Sequence, residues 1–296
     1  VVPFADGCPL ARELEGRRVH GLARRGDGWC AIADGDTVTR RDADGTWTDL
    51  GRASTSLTCV LPVPRGAWCG TTDGRLLRLH DGAFAAVDGF TQVDGQEAWH
   101  AVGSRVPYVR SITETSDHRA LLASVHVGGI PRSGNGGASW KPTIDPDADV
   151  HQVRAAPHDA RLVLAPAAAG LGVSRDGGVT WEIETDGLHA TYLRAVAYTD
   201  TAALVSACDG PFGEHGALYR WDTSDGGSLT RVGGGLPEWL AGNVDTGMLD
   251  ADRTVAALAD TDAVYVSDDA AVTWTRLATD AGTITGPITG VGVRET

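Results

Sequence analysis

Ser174-Arg175-Asp176-Gly177-Gly178-Val179-Thr180-Trp181 has the form S-x-D-x-G-x-x-W, and the fold follows from reading it. The pattern is that of a tight hairpin. An Asp in the turn accepts hydrogen bonds from nearby backbone N–H groups, and Gly permits the positive φ that the turn requires. The Trp opens the next strand and buries a large ring under the turn. Ser133-Gly134-Asn135-Gly136-Gly137-Ala138-Ser139-Trp140 repeats the form with Asn for Asp. Ser267-Asp268-Asp269-Ala270-Ala271-Val272-Thr273-Trp274 repeats it with Ala for Gly. A degenerate echo, Asp42-Ala43-Asp44-Gly45-Thr46-Trp47, lies near the start. The motif is a folding staple and carries no catalytic group. Ser133, Asn135, Gly137, Trp140, Ser174, Asp176, Gly178, Trp181, Ser267, Asp269 and Trp274 are therefore read as structural.

Working outward, a short apolar-x-x-apolar strand precedes each Trp by about thirty residues. Its copies begin at Val19, Leu57, Val109, Val150, Leu193, Val244 and Ile288, with spacings of 38, 52, 41, 43, 51 and 44 residues. That is the period of a four-stranded propeller blade. The expected fold is all-β: a seven-bladed β-propeller of four-stranded antiparallel blades spanning residues 1–296 as one domain. The blades are placed at about 18–52, 56–88, 108–143, 149–185, 192–232, 243–278, and 287–296 joined to 1–16. Pairing the N- and C-terminal segments in that last blade would close the ring and remove open sheet edges. Six blades with an added C-terminal strand is the alternative.

The three turn motifs, set in blades of this length, resemble the BNR (Asp-box) repeat families. These include the sialidases, sortilin-type ectodomains and photosystem II assembly and stability factors. The resemblance implies a propeller, with the motif turns on one face and binding on the other, around the axis. It extends over nearly the whole chain, but enzymes and non-enzymes share it.

Composition narrows the functions. The net charge is −14, Lys141 is the only lysine among 25 basic residues, and Asp outnumbers Glu about three to one. Such a chain repels nucleic acid and anionic membranes, because binding would release no counterions. The Arg and Asp bias fits a salt-adapted protein or a GC-rich genome. Cys8, Cys30, Cys59, Cys69 and Cys208 are scattered and form no CxxC pair, which argues against structural zinc. No apolar run is long enough for a transmembrane helix, and no signal-peptide pattern opens the chain. A cytoplasmic monomer with no cofactor and no metal is the expectation.

In the seven first strands, the residue after the leading apolar position occupies one register: His20, Thr58, Arg110, His151, Arg194, Asp245 and Thr289. His20, Arg110, His151, Arg194 and Asp245 are the candidate ligand-binding ring. Arginine forks suit carboxylate or phosphate. The alternative is a solvated channel whose polar groups satisfy one another. Three insertions are expected to crown the same face. Residues 88–107 carry Glu97, Trp99 and His100, residues 209–215 carry Phe212, Glu214 and His215, and residues 233–243 carry Glu238 and Trp239. Trp99 and Trp239 are read either as stacking platforms or as plugs that pack the loops down.

The sialidase resemblance implies three arginines on the substrate carboxylate, a Tyr–Glu pair and an Asp acid/base. Arg110 and Arg194 match two of the arginines, with Tyr108 and Tyr192 near them in sequence, but no third first-strand arginine exists. The family's Arg-Ile-Pro is also absent, since Ile130-Pro131-Arg132 has the wrong order. The expected function is therefore non-catalytic: binding of a protein partner or a small anionic ligand at the crowned axial face. The alternative is a glycoside hydrolase or lyase acting on an acidic sugar. Its candidate carboxylates are Glu97, Glu114, Glu214, Glu238 and Asp245, and no catalytic residue is assigned.

Overall fold

A computed structural model describes residues 4–5, 8–9, 12–26, 28–223, 228–277 and 288–294. Among them the chain forms six four-stranded antiparallel blades. The first runs Val19–Arg25, Gly28–Ala33, Thr37–Arg41 and Trp47–Arg52. The second runs Leu57–Val63, Gly66–Thr71, Leu76–His80 and Ala83–Ala86, and the third Val109–Glu114, Leu121–Val125, Pro131–Ser133 and Lys141–Pro142. The fourth runs Arg154–Ala155, Val163–Ala167, Gly170–Ser174 and Glu182–Glu184. The fifth runs Tyr192–Tyr198, Ala202–Cys208, His215–Asp222 and Thr230–Arg231, and the sixth Leu249–Asp252, Val255–Ala259, Val264–Ser267 and Thr275–Arg276.

The seven-blade expectation is corrected to six. Phe4–Ala5 pairs with Cys8–Pro9 in a hairpin of its own. No ladder joins it to residues 288–294 among the described residues. Much of the expected seventh blade lies outside those residues. The described C-terminal segment nevertheless sits where a seventh first strand would begin. Thr289 Oγ1 donates to Val19 O at 2.6 Å, and the Val291 N–H donates to Gly247 O at 2.8 Å. Ile288 and Val291 pack on Ala259, Val264 and Leu277 of the sixth blade. The register was therefore legible at this place while the blade was not, because one strand can enter the inner ring without three outer partners.

The core is a series of wedges between successive blades. Five clusters lie between blades one and two, two and three, three and four, four and five, and five and six. Leu164 and Leu171 of the fourth blade meet Val205, Tyr219 and Trp221 of the fifth, all almost fully buried. Each such side chain contributes about 2 kcal/mol by leaving water. Blades six and one are joined instead by Arg24 Nη1 on Asp252 Oδ2 at 2.5 Å.

The three motif turns have the hydrogen bonding their sequence calls for. The Gly178 N–H donates to Ser174 Oγ at 2.8 Å, and the Val179 and Thr180 N–H groups donate to Asp176 Oδ1 at 2.9 Å. Asp269 takes the same bonds from Val272 and Thr273. The Gly136-Gly137 and Gly177-Gly178 pairs both have positive φ. In the third copy Ala270 and Ala271 are held at φ 59° and 68°, where a Cβ is strained. Trp140 and Trp274 lie buried beneath their turns.

Candidate functional site

Antiparallel pairing sends the loops between second and third strands, and those between blades, to the face where first strands begin. The motif turns lie on the other face. A cavity of about 1720 Å³ runs along the axis, and Tyr108, Arg110, Gln152, Arg154 and Asp245 are among the residues that line it.

The ring register holds, but most of its side chains are already committed. His20 Nε2–H donates to Leu57 O at 3.0 Å, and Thr58 Oγ1 donates to Val109 O at 2.5 Å. The His151 Nδ1–H donates to Leu193 O, and Thr289 repeats the bond to Val19 O. Each of these four ring residues thus bonds the carbonyl just before the next ring residue. The backbone explains why. The pairing of first and second strands shifts register between His20 and Ala23, Leu57 and Cys59, Val109 and Ser111, and Leu193 and Val196. A bulge disrupts the ladder locally, so a carbonyl beside it needs another donor. The neighbouring blade supplies one.

The two arginines diverge. Arg194 Nη1 pairs with Asp245 Oδ1 at 2.5 Å, and its Nη2 donates to Pro211 O at 3.2 Å. Arg110 has no hydrogen bond or ion pair among the described residues. Its guanidinium carbon stands 5.7 Å from the Tyr108 ring centroid. The motif Tyr-x-Arg recurs as Tyr192-Leu193-Arg194, whose arginine lies 5.2 Å from its own tyrosine ring. Between the two lies the first strand of blade four.

Two residues that sequence reasoning missed, His126 and Asp149, meet beside His151. His126 directly follows the second strand of blade three, and Asp149 lies between blades three and four. Their signal was topological: both occupy loops that open on the axial face. His126 Nε2 is 3.7 Å from Asp149 Oδ1, and His151 Nε2 is 3.6 Å from Asp149 Oδ2. His126 packs on Tyr108 and His151 on Tyr192, with ring centroids 4.8 and 4.7 Å apart. Burial, then repulsion by Arg110, pushes His126 down to about 4, so the ring is neutral at pH 7. Asp149 is held below the usual carboxylate range by His151, against the opposing effect of burial. Burial also pushes Tyr192 up, so its phenol stays protonated.

The crown loops pack inward. Trp99 is buried and meets Phe90 at 5.4 Å, while Phe90 meets Trp140 edge-on at 5.1 Å. Trp99 is therefore a plug and not a platform. His100 is exposed and its Nδ1 contacts Ala98 O, while Glu97, Glu214 and Glu238 are exposed. Trp239 is half-buried under Arg231, 4.0 Å from the ring centroid, with His189 and His215 beside it. His215 pairs with Asp209 at 2.7 Å, and Leu240–Ala241 extends the fifth blade by pairing with His215-Gly216. Phe212 alone projects fully from this part of the crown.

Among the described residues, no group of three His, Cys, Asp or Glu side chains is arranged to hold a metal ion. No helix there is long and apolar enough to cross a membrane.

No protein-family model matches the chain, and no curated protein matches it in sequence. Solved structures do. The GH74 xyloglucanase of Xanthomonas campestris superposes with a TM-score of 0.61 at 17% identity, over 90% of this chain and 46% of that one. A GH74 enzyme of Niastella koreensis gives 0.62 at 15%, over 88% and 45%. The Pan2 WD40 domain of Neurospora crassa gives 0.56 at 9%, over 86% and 76%. At these identities the likeness establishes a β-propeller, shared by glycoside hydrolases and WD40 domains. The chain spans less than half the length of either GH74 enzyme.

Proposed function

We propose that this chain is a non-catalytic propeller of the Asp-box type that binds a small anionic ligand at its axial mouth. One observation carries the reading: Arg110 lines the axial cavity with its guanidinium unpaired among the described residues. The equivalent arginine of blade five is neutralised by Asp245. A guanidinium fork beside a low-dielectric wall is well suited to a carboxylate or phosphate. Tyr108 and the neutral His126 form that wall.

Binding is favoured over glycosidic hydrolysis by the direction of the carboxylate shifts. A general acid at neutral pH needs a raised pKa. In the loops of this face Asp149 and Asp209 are both displaced downward. The partnered histidines and tyrosines likewise act as walls more than as reactants.

A thermal-shift series with phosphate, citrate and sugar acids tests the proposal. A ligand at a hundred times its Kd adds about 2.7 kcal/mol of stability. The stabilisation is expected in the wild type and lost in Arg110→Ala. A flat response to every anion, or a response that Arg110→Ala leaves intact, overturns the reading.

A further inference from the structure

Asn135 stands where the other two motif turns have Asp176 and Asp269, and it is followed by Gly136. The chain has one further asparagine, Asn243, which precedes Val244. Asn135 and Gly136 are both exposed. In an Asn-Gly pair the backbone nitrogen reaches the preceding side-chain amide most readily, because glycine has no Cβ to obstruct the approach. Gly136 has φ 68°, and nothing lies within 4 Å of the place a Cβ would take.

The backbone N–H after the motif residue separates this turn from its two counterparts. The Gly177 N–H donates to Arg161 O at 2.8 Å, and the Ala270 N–H donates to Thr254 O at 2.7 Å. The Gly136 N–H has no hydrogen bond among the described residues. A nucleophile that is held in two copies is thus free in the third. The amide it faces is polarised in place. Asn135 Oδ1 accepts from Ser133 Oγ at 2.9 Å and from the Ser139 N–H at 3.0 Å, and the second bond fixes which end of the amide is oxygen. Its Nδ2 donates to Ser139 Oγ at 2.9 Å. Aspartate suits the position better. Asp176 and Asp269 each take two backbone N–H groups where Asn135 takes one, and such bonds are stronger to a charged acceptor.

We propose that Asn135-Gly136 is a self-modification site, where the chain loses ammonia and turns its Asn-type motif into the Asp type that fits the turn. Gly136 N gives its proton to solvent and bonds to Asn135 Cγ. The bond from Cγ to Nδ2 breaks, ammonia leaves, and a succinimide remains. Water then adds at Cγ and breaks the new bond to Gly136 N, which takes back a proton. The sum is asparagine plus water giving aspartate plus ammonium, with no oxidant or reductant. Water adding at the backbone carbonyl of Asn135 instead breaks the original peptide link and leaves isoaspartate. That product inserts a methylene into the main chain of a turn whose Gly137 O accepts from Trp140 Nε1 at 3.0 Å. The site lies on the face opposite the axial mouth and is independent of the anion-binding reading.

Incubation of the folded chain at mildly alkaline pH, followed by peptide mapping with mass spectrometry, tests this. The same incubation in urea gives the rate without the fold. In the folded chain Asn135 is expected to convert within ten-fold of its rate in urea. It is also expected to convert ten-fold or more faster than Asn243, whose successor Val244 is buried and β-branched. Slower conversion than that, or equal loss at both asparagines, overturns the proposal. Asn135→Asp supplies the product directly. Its urea midpoint at pH 7 is expected to exceed that of the wild type, with the gain lost between about pH 4 and pH 2. A midpoint that does not rise overturns the assignment of aspartate as the residue that fits the turn.

Discussion

Arg194 Nη1 lies 2.5 Å from Asp245 Oδ1, which couples the first strand of blade five to the approach of blade six. The Arg194 side chain is 15% exposed and that of Asp245 48%. Removing the arginine therefore leaves a carboxylate that water can reach. Arg194→Ala is expected to cost about 1–2 kcal/mol in urea unfolding, and the pair's coupling in a double-mutant cycle is expected near 1 kcal/mol. Anion affinity should change less than two-fold, in contrast to Arg110→Ala.

Thr58 Oγ1 on Val109 O is the simplest of the inter-blade ties. Thr58→Val keeps the shape and removes the donor, leaving a carbonyl beside the bulge without its cross-blade partner. The expected loss is about 1 kcal/mol. Ligand binding at Arg110 should be unaffected, and calorimetry beside denaturant titration separates the two effects.

Ala270 sits half-exposed at φ 59°, where the other two motif turns have Gly136 and Gly177. Ala270→Gly should raise stability by about 0.5–1 kcal/mol through relief of that strain. Ala271→Gly is expected to gain less, since Ala271 is buried and packs in the core between blades five and six.

Asp269 is lowered to about 2, first by the Thr273 hydroxyl and then by the Thr273 N–H. In Asp176 burial opposes the shift, but the bonds from Thr180, Ser174 and Val179 outweigh it and hold the group at about 2. A depressed carboxylate stabilises the fold above its unfolded pKa and loses that contribution as pH falls through the folded one. Wild-type stability should drop between about pH 4 and pH 2. Asp176→Asn and Asp269→Asn should each flatten that part of the curve in urea titrations, since Asn fills the same place at Asn135.

His126 titrates at about 4 when folded and near 6.5 when unfolded. The unfolded chain therefore takes up a proton that the folded chain refuses, and stability falls as pH drops from 6.5 to 4. His126→Gln should remove that slope. NMR titration should find the His126 pKa raised in Arg110→Ala, though still below 6.5, because burial remains.

How much was legible in advance follows the range of the interactions. The motif turns close within eight residues, so Ser174, Asp176 and Trp181 announce their hairpin wherever they occur. The ring register also survived, because the period-two geometry of a strand places one residue per blade at the same height. Thr289 joined that ring even though no complete seventh blade surrounds it among the described residues. The role of each ring residue was not legible. His20 and His151 were read as candidate ligands, yet, like Thr58, they bond carbonyls of the next first strand, 37 to 51 residues away.

The sequence by itself determined the all-β repeat, the hairpin staples and the shared register of the first strands, since each depends on contacts within one blade. Only the tertiary structure decided that six blades form, that Arg194 is neutralised while Arg110 is left unpaired, and that His126, Asp149 and His151 meet. Those outcomes depend on which side chain first reaches a carbonyl or a charge on the neighbouring blade. That is a matter of a few tenths of an ångström between segments distant in sequence, and no local pattern encodes it.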